Sequence, residues 1–187
     1  LGYELYIPTE QAVHVYERIT EAGKKVGLVH AGLKALASCR MEKGYRHWGH
    51  DIGGEDDPVA AGLGFTIAWD KPGGFVGRDA LLEFKAQGPP RNRVVSLLVD
   101  DPSADLFGNE PVTVDGEWVG YVRAAAYGYT LGGPVGLASV FHEGGVTADW
   151  LREQPFTVHT PGGDLPARLQ LAPFYDPART RILDAEG

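Results

Sequence analysis

After Pro89-Pro90 the chain consists almost entirely of short apolar runs separated by glycine, proline and aspartate, and no other feature constrains the fold as tightly. RVVSLLV reads as a buried strand. PVTV, DG and EWVGYV read as a hairpin whose tight turn is Asp115-Gly116, because such a turn needs positive φ at both central residues. GLASV is a further apolar strand, and FTVH and ARLQL flank the turn residues Pro161, Gly162, Gly163 and Asp164. Several short strands with frequent glycines predict a small closed barrel or sandwich.

The first half reads differently. LGYELYIP alternates apolar and polar residues from Leu1 to Ile7, which predicts a strand, and one that begins as if cut from something longer. Thr9 is placed to cap a helix after Pro8, with Ala12, Val15, Tyr16 and Ile19 at helical spacing and Gly23 as a stop. A second helix is expected from Ala31 to Glu42, with Leu33, Leu36, Ala37 and Met41 on or near one face and Gly44 past its end. GLGFTIAW reads as a strand over Leu63 to Trp69, and Val76 to Gly88 as a short helix that ends at a glycine.

The net charge of -8 argues against a broad basic surface for nucleic acid, so any anionic ligand must be met by local arginines and lysines. No apolar run is long enough to cross a bilayer as a helix. A single cysteine, Cys39, excludes an internal disulfide and suits a reducing compartment; the expected location is cytoplasmic and the expected place of Cys39 is a buried helix face.

One segment concentrates the chemistry: CRMEKGYRHWGHDI, from Cys39 to Ile52. It reads as a packed polar loop, as a metal site on His47, His50 and Asp51, or as one wall of a pocket for a flat, anionic ligand. The metal reading ranks below the others: helical HEXXH spacing is absent, and a glycine between the histidines argues for a turn. The acidic run Glu55-Asp56-Asp57 reads most simply as a solvated loop.

RMEKGYRHWG resembles the R-I-E-K-G-[YF]-R-H-W motif of dimethylglycine and sarcosine dehydrogenases, and LGYELYIP resembles the tail of a G-E-x-G-[YF]-E segment. Together with GLGFTIAWDKPGGFVGRDAL, GYVRAAAYGYTLGGPVGLASV and PFYDP, these stretches identify the chain as similar to the folate-dependent aminomethyltransferase family over nearly its whole length. That family contains the glycine-cleavage T-protein and the folate-binding C-terminal half of those dehydrogenases. The resemblance implies an α+β fold: the C-terminal part of a partial ferredoxin-like, folate-binding subdomain over residues 1–88, then a small antiparallel β-barrel over 89–187, with the boundary between Ala86 and Arg91. It implies tetrahydrofolate as cofactor, one-carbon transfer as the reaction and a small N-methyl amine as substrate of the parent protein. FAD is implied only for an upstream domain of that parent. No nucleic-acid or membrane partner is implied. The RHWG spelling favours the dehydrogenase branch; a stand-alone T-protein-like transferase and a noncatalytic assembly module are the alternatives.

The family's essential aspartate is expected upstream of Leu1, as is a pterin-recognising glutamate in the Gly-Glu pair before it, so no catalytic residue is expected here and the isolated chain should bind folate weakly. For cofactor binding the resemblance nominates Glu4, Arg46, His47, Trp48 and Tyr175. An arginine fork suits a carboxylate and an indole suits a planar ring, while packing remains the competing role for Arg46, His47 and Trp48, and a cross-strand role for Glu4. Arg40 and Glu42 are expected to form a structural ion pair. The chain departs from the family at Leu36 and Ala37, where an arginine and an aspartate are common. It departs again at Arg123, Ala124 and Ala125, in place of Thr, Ser and Gly, and at Tyr129, in place of a histidine.

Overall fold

The computed structural model describes residues 2–183. The chain divides into two compact units, Leu1–Leu33 and Lys34–Gly187.

In the first unit a 3-10 turn over Thr9–Gln11 leads into helix α1 (Ala12–Gly23) and a second 3-10 turn over Lys24–Val26. Thr9 does not cap; it lies inside the first turn, whose flanking residue Pro8 makes no side-chain cap bond. Gly23 ends the helix where Leu28 folds back, and a Cβ at Gly23 would lie 2.5 Å from that of Leu28. Residues 2–8 have no strand partner among the described residues, so the strand expected from Leu1 to Ile7 is not formed there, and Leu1 itself lies outside the described residues. Alternation marks a segment that fits a sheet, but only a neighbouring strand makes it one.

Helix α2 (Leu33–Glu42) starts at the last residue of the first unit and otherwise belongs to the second, which continues through irregular chain and helix α3 (Arg78–Ala86) and then builds six strands: β1 (Asn92–Val99), β2 (Pro111–Val114), β3 (Glu117–Gly128), β4 (Gly133–Phe141), β5 (Phe156–Thr160) and β6 (Gly163–Gln170). Two short helices, α4 (Ala148–Glu153) and α5 (Thr180–Leu183), lie between β4 and β5 and after β6. The strands form a closed antiparallel barrel in the order β1-β4-β3-β2-β5-β6, with β6 pairing back onto β1. Closure leaves no free edge. The β2–β3 turn is Asp115-Gly116, with φ of 50° and 83°, the backbone that the Asp-Gly pair predicted.

Alternation along β1 and β4 builds two cores from one wall. Val95, Leu97 and Val99 of β1, with Ala138 and Val140 of β4, fill the barrel interior alongside Val112, Val122, Val158 and Leu169. The intervening residues Val94, Leu98, Val135 and Leu137 point outward and are covered by Met41, Ile52 and Ala61. These strands are buried on both faces, which is why they read as continuous apolar runs. The close fit has a visible cost in side-chain size: a Cβ at Gly120 in β3 would lie 1.9 Å from the Ser139 carbonyl oxygen of β4.

The strand expected over Leu63–Trp69 is instead a 3-10 turn at Gly64–Thr66. The Thr66 N–H and hydroxyl both return to the Leu63 carbonyl, and the Trp69 indole donates to the Gly64 carbonyl at 3.1 Å. Local bonds satisfy this backbone without a ladder, and Phe65 is left 74% exposed. Cys39 is likewise exposed: α2 buries Ser38, Met41 and Glu42, and Cys39 lies about 160° around the helix from Met41, the most deeply buried of them. No helix among the described residues is long and apolar enough to cross a membrane.

Candidate functional site

The site begins at the end of α2. Gly44 adopts φ +61°, the Gly44 N–H donates to the Met41 carbonyl at 3.0 Å, and the Tyr45 N–H donates to the Arg40 carbonyl at 2.8 Å. This pair of bonds is a Schellman cap, which requires a left-handed residue and so a glycine. It reverses the chain and sends Arg46 back under the helix end.

Asp51 is the hub of the loop that follows. Its carboxylate, fully shielded from solvent, accepts from Arg40, from the His47 N–H at 2.8 Å and from the His50 ring at 2.9 Å. Burial opposes ionisation of Asp51, but the hydrogen bonds from Arg40, His47 and His50 outweigh it and hold its carboxyl below the usual range. Arg40 and Glu42 therefore do not pair as expected. Two residues apart on a helix they point about 200° from each other, and Glu42 turns instead to the barrel, where its carboxylate accepts from the backbone N–H groups of Thr130 at 2.7 Å and Leu131 at 3.2 Å.

A second clamp comes from β3. The β3–β4 register shifts between Val122 and Ala124, so Arg123 is the extra residue of a β-bulge. Its guanidinium binds both Asp56 oxygens, at 3.0 and 2.8 Å, and the Asp51 carbonyl at 2.8 Å. Asp56 is thus an ion-pair partner rather than a solvated acid, and the bonds from Arg123 keep its carboxyl low. A charge inside the apolar run VRAAAYG was the available signal for this partner.

Beside the clamped loop lies a cavity of about 580 Å³, whose lining includes Lys43, Tyr45, Arg46, Phe65 and Arg179. Arg46 donates to the carbonyls of Ala61, at 2.9 Å, and Gly44. Its partners are thus backbone oxygens, and burial pushes its pKa below the ordinary value, with Asp51 opposing and Arg93 adding to the shift. The segment PFYDP returns to the end of α2: the Tyr175 N–H donates to the Glu42 carbonyl at 3.2 Å, and Lys43 donates to the Asp176 carbonyl at 2.7 Å with its ammonium 5.6 Å from the Tyr175 ring centre.

Of the nominated residues, Arg46 lines the cavity, and Tyr175 packs next to its Lys43 wall. His47 and Trp48 face outward from the loop. The His47 ring stacks on His50 at 5.8 Å, and Trp48 is 68% exposed. Glu4 belongs to the first unit, where it accepts from Tyr6 at 2.9 Å. Lys43, Phe65 and Arg179 were not legible as lining, since they come together only through the fold. The cavity wall supplied by these residues carries cations and aromatic rings; among the described residues its lining contains no carboxylate, and the Asp176 carboxylate pairs with the Lys43 ammonium at 3.3 Å. Such a surface can seat an anionic ligand with a planar part.

The family model described as the GCVT N-terminal domain matches residues 1–71, and that described as the glycine cleavage T-protein C-terminal barrel domain matches residues 92–176. The chain is 44% identical over 182 residues, 97% of its length, to a 4-methylaminobutanoate oxidase (formaldehyde-forming) of Paenarthrobacter nicotinovorans. It is 35% identical over 184 residues to the mitochondrial sarcosine dehydrogenase of Homo sapiens. It spans about a fifth of the length of these relatives, 21% and 20%. Its fold matches the crystal structure of the glycine cleavage system aminomethyltransferase T from Bartonella henselae with a TM-score of 0.72 at 20% identity, covering 91% of this chain and 45% of that one.

Proposed function

Because the chain belongs to the glycine-cleavage T-protein family, we propose that it is the C-terminal part of a tetrahydrofolate-binding one-carbon-transfer domain in a flavin-dependent dehydrogenase of small N-methyl amines. In this reading the family boundary lies between Ala86 and Arg91, with residues 1–88 belonging to the folate subdomain and 89–187 to the barrel. The same reading places the parent protein in the cytoplasm, a reducing compartment that the single cysteine of this chain suits.

The observation that carries the reading is the cavity of about 580 Å³ lined by Lys43, Arg46, Arg179, Tyr45 and Phe65. Its donor set fits folate, which combines a flat heterocycle with a carboxylate tail. Bound there, folate supplies the nitrogen that takes up a one-carbon unit. Arg46, anchored on two carbonyls, offers a positive charge with little freedom left to lose. Lys43 is steadied by Asp176, Arg179 adds a third cation, and Phe65 presents an exposed ring to a planar group. These residues bind and orient the ligand. The flavin belongs to the parent protein and has no binding residues assigned in this chain. The relatives support an N-methyl amine as the source of carbon, since their names state oxidation of sarcosine and of 4-methylaminobutanoate, the latter forming formaldehyde.

The test uses the full-length protein. With an N-methyl amine as substrate, flavin reduction should occur, and added tetrahydrofolate should divert the carbon from free formaldehyde to 5,10-methylene-tetrahydrofolate. Arg46→Met should lower that capture without slowing flavin reduction. Formaldehyde release that is indifferent to saturating tetrahydrofolate would overturn the folate reading and leave an oxidase with a supporting module.

A further inference from the structure

On the outer face of the barrel, remote in register from the clamped loop, three strands assemble a hydroxyl, an imidazole and a carboxylate in line. The Thr113 Oγ1 of β2 lies 2.8 Å from the His159 Nε2 of β5, and the His159 Nδ1 lies 2.5 Å from the Asp164 Oδ1 of β6. Pairing puts them on one face: Thr113 is opposite Thr157, His159 follows two residues on, and His159 is opposite Asp164. Val112 and Val158, the neighbours of opposite pleat, fill the interior.

We infer that Thr113 is an activated hydroxyl, a site at which this protein takes up an acyl group from an activated ester or thioester. Asp164 accepts from the Nδ1–H and so leaves Nε2 as the acceptor for the Thr113 proton, the tautomer that general-base activation of a hydroxyl needs. The three residues sit on paired strands of a closed barrel, which fixes their backbones, with the Asp164 side chain 68% exposed near the start of β6. Trp118, opposite Thr113 on β3 and 63% exposed, adds an aromatic surface beside the hydroxyl on which a flat leaving group can rest. Access is narrow, because Thr113 is only 7% exposed while the His159 side chain is 36% exposed, and this restricts the donor to small acyl groups. In the step, the Oγ1–acyl carbon bond forms and the carbon–leaving-group bond breaks. The leaving group departs with its electron pair, and the Oγ1 proton passes to Nε2 and on to solvent. Thr113 is paired on both sides within the sheet, to Trp118 and to Thr157, so its own amide is committed to the ladder and is not free to hold an oxyanion. Without that donor only an activated ester or thioester, with its good leaving group, acylates Thr113, and the alkyl ester formed, whose leaving group is far poorer, persists as an acyl-threonine.

p-Nitrophenyl acetate tests this on the full-length protein, with nitrophenolate release followed by absorbance and the acetyl group located by peptide mass spectrometry. One acetyl group should appear on Thr113, at a rate that falls in heavy water. It should vanish in Thr113→Val and slow about a hundredfold or more in His159→Gln, the lower range of a general-base contribution. Thr113→Ser keeps the line and removes the hindering methyl, and should be acylated faster than the parent, an outcome a purely structural hydrogen bond does not produce. The inference fails if Thr113 stays unmodified while surface lysines are acetylated. It also fails if a folded His159→Gln protein labels Thr113 at the parental rate.

Discussion

Arg40 and Asp51, eleven residues apart, form a buried pair in which the guanidinium reaches both carboxylate oxygens and the carboxylate has no exposed surface. This contact, with the Arg123–Asp56 clamp, holds the loop from Tyr45 to Asp57 beside the cation-lined cavity.

Asp51→Ala should therefore be severe. It leaves Arg40 buried to 83% of its side chain without a counter-charge, and breaking such a pair costs about 3–5 kcal/mol. Urea unfolding at neutral pH measures this. A loss under about 1 kcal/mol would mean that water reaches Arg40 freely and that the pair does not organise the loop.

The acid limb of stability should carry the same signature. The folded-state pKa values of Asp51 and Asp56 are both depressed. Their contribution is fully present above the unfolded value of about 3.9 and is lost as pH falls through the lower folded values. Melting temperature should drop steeply below about pH 4, and a folded Asp56→Asn variant should show a shallower drop. Parallel acid limbs for parent and variant would count against the assignment.

Arg123 and Asp56 should be energetically coupled. A double-mutant cycle with Arg123→Met and Asp56→Ala is expected to return about 1–3 kcal/mol, and hydrogen exchange should quicken across residues 51–57 in either single variant. Additive effects would show that the bulge does not restrain the loop.

Ligand affinity in the full-length protein should follow the cavity rather than the spelling of the RHWG motif. Phe65→Ala and Arg179→Ala should each weaken tetrahydrofolate binding about tenfold, the effect of losing roughly 1.4 kcal/mol. Trp48→Ala, whose ring is 68% exposed outside the cavity lining, should leave it within about twofold, or about 0.4 kcal/mol. The reverse ranking, read by isothermal titration, would move the ligand to the outer face of the loop.

Gly120→Ala tests the barrel. A Cβ there meets a backbone oxygen of the neighbouring strand at 1.9 Å, and a carbonyl in a paired ladder cannot swing aside as a flexible side chain does. Destabilisation of about 3 kcal/mol or more is expected, and a neutral effect would require the β3–β4 pairing to be looser than described.

The barrel was legible in the sequence because its information is local. Short apolar runs bounded by glycine, proline and aspartate identify its strands, and Asp115-Gly116 carries its own turn geometry wherever it lies. The Schellman turn at Gly44 and the glycine after α3 are local in the same sense. The alternating segment Leu1–Ile7 and the apolar run Leu63–Trp69 misled because a strand exists only against a partner, and among the described residues neither segment has one. The charges were harder still. Arg40 sits two residues from Glu42 in sequence yet binds Asp51, because helix geometry separates the near pair and the loop returns the distant carboxylate. Composition could place an arginine, an aromatic ring and a carboxylate in one segment. Only the closed barrel, the bulge at Arg123 and the returning PFYDP segment decided that Lys43, Arg46, Phe65 and Arg179 would share a cavity while His47 and Trp48 faced outward. Those choices are set by contacts between residues far apart in the chain, which no local pattern records.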